Sequence, residues 1–461
     1  MSRRWRPMCH RPTRRRLRHW TAASCVIFVS SRVSTDCPGS SSESRLMSEV
    51  TVIGGGIIGV CSALALQREG IATTLIERGS IGGEATFGNC ALMALSEIVP
   101  LAKPGVMKKL PGWILNPEGP LAIRPGHLPA ALPWLLRFLR NARPHRVAQI
   151  CRGLGALTAH AQEDFDEVIE AARIENIWAE NEVLYLYDKK EQYLADQFSW
   201  QLRANEGYHV TELEGSALAN LEPDVDSDGK FGLIAHGWRS FTDPQRLTYE
   251  LAQHFTELGG EILSAEVNRI ESTLSKPRRL HFADGSQRDV DKLVIAAGCW
   301  AGRLLKDIGI RIPLAPLHGY HTDIADSGVS LSRPVLYASG GFVNTPVESG
   351  LRIAGTVEIA PLDAKPNFRR AEVLVEKARR KLFPGLKHTH GSQWIGARPF
   401  MPDTLPVIGP APDVEDTWLA VGHGQLGVTM GPTTGKLVSA MIAGRSPAVD
   451  IAPYRADRSY V

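Results

Sequence analysis

Val50-Thr51-Val52-Ile53-Gly54-Gly55-Gly56-Ile57-Ile58-Gly59 runs an apolar strand straight into a glycine turn, and the helix-like stretch Val60 to Gly70 follows. A second apolar run, Thr73-Thr74-Leu75-Ile76, ends in Glu77, so the segment has the length of one βαβ unit. Each glycine then has a physical task. Gly54 permits the sharp turn out of the strand, Gly56 lets the backbone approach a pyrophosphate, and Gly59 lets the helix pack closely on the sheet. The phosphates would sit at the helix N-terminus, where free N–H groups and the positive dipole end favour an anion. Glu77 is placed to accept from a ribose diol, and its charge argues against a 2′-phosphate. A dinucleotide site follows.

The chain has 461 residues and a formal charge of +3. Its first 46 residues hold ten Arg against Asp36 and Glu43, a net +8, so the remainder carries −5. A mildly acidic body gives no footprint for nucleic acid. The basic tail, with Arg14-Arg15-Arg16 ahead of the apolar Ala22 to Val29, has three readings: an export signal, an organelle transit peptide, or an over-long gene start with Met47 the natural first residue. The last is favoured, and residues 1–46 are expected to be a disordered basic extension. Cys61, Cys90, Cys151 and Cys299 show no CxxC pairing, so neither a metal site nor a disulfide framework is indicated. A cytoplasmic setting fits best. No apolar run reaches the roughly 20 residues that span a bilayer, so any membrane contact would be peripheral, at the inner face.

Beyond the βαβ unit, Gly82 to Ala91 is a loop of small residues suited to a flat ligand. Leu128 to Leu139 (LPAALPWLLRFL) reads as a surface helix touching a membrane or partner, or as a core helix. Residues 153–175 have helical spacing, Val183 to Tyr187 alternate as a strand, and Asp243-Pro244 caps and opens a helix, Gln245 to Leu258. Residues 311–391 read as a sheet-rich block, and a last helix is expected over Thr434 to Ala443. The alternation predicts an α/β plus α+β fold, a Rossmann-type nucleotide domain assembled from separated segments with a sheet-rich substrate domain inserted. The segments are 47–105, 241–310 and 392–461 for the former, and 106–240 and 311–391 for the latter.

Two further motifs extend the reading. Val294-Ile295-Ala296-Ala297-Gly298 is a buried strand ending in small residues. Trp394-Ile395-Gly396-Ala397-Arg398-Pro399 precedes Gly422-His423-Gly424-Gln425-Leu426-Gly427-Val428-Thr429. In this order and spacing the three signals resemble the FAD-dependent D-amino-acid dehydrogenase, glycine oxidase and sarcosine oxidase group, over Met47 to about Gly444.

The resemblance implies non-covalent FAD and a residue-by-residue site. Gly54, Gly56 and Gly59, with Ile57 and Ile58 of the same turn, would bind the pyrophosphate, and Glu77 with Arg78 the AMP ribose. Thr86 and Asn89 would lie along the phosphates or the isoalloxazine face, and Val267 would hold the adenine through its backbone. Gly298 would line the cofactor, while Gly424, Gly427 and Thr429 would bring N–H groups to the flavin pyrimidine edge. Arg398, in a GxRP context, would pair with the substrate carboxylate. Tyr320 is a second candidate contact, and His423 either orients the flavin or caps a turn. Arg352, in a strand-like segment, is expected to face solvent. Cys90-Ala91 departs from the Ala-Gly common in the dehydrogenase branch, which leaves substrate preference open.

The activity implied is oxidative deamination of a small D-amino acid, or of a D-proline or D-hydroxyproline type imino acid, by hydride transfer from Cα to flavin N5. A membrane quinone or another acceptor would take the electrons. The alternatives are an oxygen-using glycine or sarcosine type oxidase and a flavin-binding subunit without turnover.

Overall fold

The computed structural model describes residues 49–105, 112, 119, 121–179, 182–273 and 276–460. The tail expected to be a disordered extension, 1–46, lies outside the described residues.

Alternation of apolar side chains builds the first sheet. Its six strands run Glu261–Ser264, Thr73–Glu77, Val50–Ile53, Lys292–Ile295, Thr417–Val421 and Val407–Pro410, the first five parallel and the last antiparallel. Val50, Val52, Leu75 and Val294 point to one face, and Ile53, Ile76, Leu293 and Ile295 to the other, so both faces are buried. The helices Ile57–Arg68 and Gly427–Ile442 cross in close contact, since a side chain on Gly435 would overlap the Cys61 carbonyl. The helix Pro244–Glu257 packs beside them. Asp243 caps it as expected, accepting from the Gln245 and Arg246 amides at 2.7 and 3.1 Å. The opposite face is covered by an antiparallel trio, Val267–Thr273, Lys276–Phe282 and Gln287–Asp289, and by the helix Ala301–Asp307.

The second sheet has nine strands. From one edge they run Ser392–Phe400, Ala315–Ile324, Gly350–Ile359, Phe342–Val347, Val335–Tyr337, Val183–Tyr187, Phe231–Ala235 and Val210–Glu214, with Leu121–Ile123 beside the end of Gly350–Ile359. One face packs on the helix Arg369–Lys381, in a core that includes Leu351, Ile353, Leu374 and Phe383. The other face turns toward the first sheet and its loops.

Two helical expectations need correction. Residues 153–175 are parts of two helices, Pro144–Thr158 and Ala161–Ala172, because the chain breaks at Ala159-His160 and restarts with Glu163 and Asp164 in the favourable first turn. The last helix begins at Gly427, seven residues before Thr434, and contains Pro432. Leu128 to Leu139 is a helix, Leu128–Arg140, and no helix among the described residues is long and apolar enough to cross a membrane.

Candidate active site

A cavity of about 570 Å³ lies between the two sheets. At one end the Val50–Ile53 strand delivers the glycine turn. Gly54 sits at φ +113°, and a Cβ there would come within 2.5 Å of the Ala296 carbonyl. A side chain on Gly59 would overlap the Gly54 carbonyl, which is the close helix–sheet packing that the motif requires. Gly56 differs: its Cβ would meet nothing nearer than Thr86 Oγ1 at 3.6 Å, so the protein leaves that space open toward the cavity. Gly56 is the N-cap of Ile57–Arg68, has no side chain to accept from the first turn, and no acidic residue stands there. The positive end of the helix therefore faces the cavity.

Glu77 closes the second strand on the cavity wall. Its Oε2 accepts from Gly55 N at 2.6 Å and its Oε1 from Gly79 N at 2.7 Å, so the carboxylate also shapes the turn. Arg78 lies over the Trp300 ring at 3.8 Å and pairs with Glu84 at 2.9 Å. Val267 and Gly298, the latter at φ +51°, complete this end.

Farther along, Arg398 rises from Ser392–Phe400 and lies across Gly319 of the neighbouring strand, where a side chain would overlap the guanidinium. Its Nη1 donates to the Thr356 carbonyl at a long 3.5 Å, and among the described residues no carboxylate pairs with it. What surface it keeps faces the cavity. Burial pulls its pKa down, yet a guanidinium keeps its proton in protein interiors. Arg398 is half-buried, and a charge in that setting without a counter-ion is costly, a cost that an anion at this wall would offset. Cys90 stands nearby, its thiol pKa pushed up by burial, against which Arg398 and Arg352 act.

Most of the residues singled out in the sequence line this one cavity: Gly54, Gly56, Ile57, Ile58, Glu77 and Arg78, with Thr86, Asn89, Val267, Gly298, Arg398, His423, Gly424 and Gly427. Thr86 Oγ1 accepts from Ile57 N at 3.2 Å, and Asn89 Oδ1 from Leu92 N at 3.3 Å. His423 Nε2 pairs with Thr434 Oγ1 at 3.0 Å, and burial pulls its pKa down to about 3, so the ring is neutral.

Tyr320, Thr429 and Gly59 stand elsewhere. Tyr320 is on the opposite face of its strand, buried, with its hydroxyl donating to Glu358 and accepting from Asn367 N at 3.2 Å; it does not reach the cavity. The cause is strand parity, since Gly319 rather than Tyr320 shares a face with Arg398. Thr429 lies behind the wall, its Oγ1 accepting from Ala94 N at 3.0 Å. Gly59 is likewise behind it. Arg352 corrects the expectation of solvent exposure: it is 3% exposed and paired through two bonds with Asp323. The cavity also has a wall that no motif announced, Trp134, Leu135 and Phe138 from the inner face of Leu128–Arg140. Helical spacing in LPAALPWLLRFL was the available signal.

Residues 49–441 match the family model described as FAD dependent oxidoreductase. This chain belongs to that family. The DAO-family chain is 33% identical over 416 residues to a D-amino-acid oxidase of Bradyrhizobium diazoefficiens, covering 89% of this chain and 98% of the relative. It is 29% identical over 423 residues to D-amino acid dehydrogenase 2 of Ralstonia nicotianae, covering 88% and 99%. Its fold is that of glycine oxidase from Geobacillus kaustophilus, with a TM-score of 0.68 at 19% identity, covering 89% of this chain and 99% of that one. L-proline dehydrogenase from P. horikoshii gives a TM-score of 0.64 at 19% identity, covering 89% and 96%. The DAO-family protein is thus an FAD-dependent oxidoreductase with a Rossmann-type domain and a sheet-rich domain. The cavity fits the cofactor: an open cradle at Gly56, a helix N-terminus facing it, a carboxylate at the strand end and a space of about 570 Å³.

Proposed function

We propose that the protein oxidises the Cα–N bond of a small D-amino acid or D-proline type imino acid, and that Arg398 binds the substrate carboxylate. The observation that carries this is a cavity-facing arginine with no carboxylate partner among the described residues. A planar guanidinium presents two parallel N–H donors to a carboxylate, which fixes both the position and the orientation of the amino acid. The Gly54–Gly59 turn would hold the pyrophosphate, Glu77 and Arg78 the AMP ribose, Val267 the adenine, and Thr86, Asn89, Gly298, Gly424 and Gly427 the remainder. When bound, FAD supplies the two-electron acceptor for the hydride of Cα–H.

The chain's own residues have orientation and electrostatics to provide. Neutral His423, fixed by Thr434, holds the Gly422–Gly427 turn without adding a charge that repels Arg398. The Cys90 and Cys299 thiols line the cavity, and burial pushes both pKa values up, which disfavours their thiolates and supports non-covalent FAD. The D-configuration is supported by the relatives named D-amino-acid oxidase and D-amino acid dehydrogenase. The first of these names also favours a second reading, in which oxygen takes the electrons in place of a quinone or other acceptor.

Peripheral membrane contact is part of the reading. Leu128, Leu132 and Leu136, 45 to 49% exposed, form one outer stripe on the helix whose inner face lines the cavity. The sequence from residue 119 to 162 contains six Arg and no acid. An apolar stripe flanked by arginines suits an anionic lipid surface.

The deciding experiment is anaerobic titration of the purified flavoprotein with D-amino acids, D-hydroxyproline, glycine and sarcosine, following bleaching of the oxidised flavin. Bleaching by a D-amino acid or D-imino acid is expected. Bleaching by glycine or sarcosine alone, or by none of them, sinks the proposal. Peroxide released in step with substrate in air would select oxygen as acceptor.

A further inference from the structure

We propose that Arg352 is a positioning residue for the cofactor: fixed by Asp323, it holds the Phe87–Cys90 backbone in the shape that presents Thr86, Asn89 and Cys90 to the cavity. Arg352 Nε and Nη2 donate to Asp323 Oδ1 and Oδ2 at 2.8 Å each, and its remaining Nη1 donates to the Phe87 and Asn89 carbonyls at 2.9 and 2.8 Å. Asp323 is held in turn by Ser349 Oγ at 2.7 Å. Four of the five guanidinium N–H groups thus go to a carboxylate and two carbonyls, a geometry that no other side chain reproduces.

The rest of the loop is gripped from the same sheet. Thr345 Oγ1 donates to the Cys90 carbonyl at 2.9 Å, and the Trp394 ring packs where a side chain on Gly88 would stand. Trp394 stacks on His321, with ring centroids 5.2 Å apart and planes at 16°. Ala91 follows at φ +58°, a left-handed value that a non-glycine residue keeps only when its surroundings impose it. Side chains from four strands of the nine-stranded sheet therefore shape a loop that belongs in sequence to the nucleotide-binding turn. The same sheet carries Arg398, so one rigid element sets the cofactor loop and the carboxylate-binding arginine relative to each other.

The two arginines divide the work by their partners. Arg352 is neutralised by Asp323 and acts through hydrogen bonds, whereas Arg398 has no carboxylate among the described residues and acts through its charge. An isolated loop of small residues loses backbone freedom on ordering, and that loss opposes binding. A loop already ordered by the sheet leaves less of that cost to cofactor binding.

The inference rests on the cavity being the FAD site, and the test separates the two. Apoprotein of the wild type, Arg352→Met, Arg352→Lys and Gly56→Val is titrated with FAD by flavin fluorescence, and the visible circular dichroism of the bound flavin is recorded at saturation. Gly56→Val, which fills the open cradle, is expected to abolish binding; wild-type affinity in that variant removes the cavity assignment itself. Arg352→Met is expected to raise the FAD Kd at least tenfold and to change the flavin dichroism at saturation. Arg352→Lys, which keeps the charge but not the fork, is expected to lie between, at least threefold weaker than wild type. A residue that merely stabilised the sheet would lower the Tm and leave the dichroism unchanged at saturating FAD. A wild-type Kd and band shape in the Arg352 variants, with binding lost in Gly56→Val, overturns the positioning role alone. Should Arg352→Met fail to fold, Arg352→Lys carries the same test.

Discussion

At Arg398 a half-buried guanidinium without a carboxylate partner among the described residues faces the cavity. If Arg398 binds the substrate carboxylate as proposed, removal of its charge should weaken substrate binding while sparing the cofactor, which the proposal assigns to the Gly54–Gly59 turn. Arg398→Ala is expected to raise the substrate KM by well over tenfold with unchanged flavin absorbance, as steady-state kinetics and a spectrum would check. Arg398→Lys should recover little, because an ammonium cannot form the two-point contact. A second prediction at this scale concerns buried imidazoles. Burial pulls the pKa of His321 down to about 4 and that of His423 to about 3, well below the ordinary value near 6.5. A group whose neutral form is favoured by folding binds its proton more readily when unfolded. Stability should therefore fall as pH drops from about 6.5 toward 4, by up to about 1.4 kcal/mol per pH unit for each ring. Chemical denaturation at several pH values would measure the slope, and His423→Asn should remove one ring's share of it. The residue scale also shows why Tyr320 misled: a tyrosine one position from Gly319 is indistinguishable in sequence from a cavity residue, and only strand parity sends it to the Glu358 side.

Helix Leu128–Arg140 presents two unlike faces. Trp134, Leu135 and Phe138 wall the cavity, while Leu128, Leu132 and Leu136 project outward on the opposite stripe. Replacing Leu132 and Leu136 together by Glu puts the new charges on exposed positions, so the Tm should change by less than roughly a few degrees. Sedimentation with vesicles rich in anionic lipid should fall at least fivefold, and wild type should bind zwitterionic vesicles poorly. Equal sedimentation of variant and wild type would exclude this helix as the contact. Element boundaries were legible where a local signal existed, as at Asp243, whose side chain does cap Gln245 and Arg246. They were not legible at Ala159-His160, where neither glycine nor proline marks the break, or at Gly427, where the helix continues through Pro432.

Over the whole molecule the cavity lies between two sheets, so a cofactor bound there, as proposed, would bridge them and stabilise both. Apoprotein is expected to melt several degrees below holoprotein, and FAD at about a thousandfold excess over its Kd should restore about 4 kcal/mol. Thermal melts with graded FAD would check this. By itself the sequence determined the nucleotide half, because a glycine turn between strand and helix, an acidic strand end and a small-residue strand are local consequences of backbone sterics and helix dipoles. It also marked Arg398 through its neighbours Gly396 and Pro399. What only the tertiary structure decided was which charges are paired. Asp323 and Arg352 meet because their strands lie antiparallel in one register, and Arg398 meets no carboxylate because its neighbours across the sheet are Leu317 and Gly319. Pairing across a sheet depends on register between segments tens of residues apart, and no local spacing encodes it.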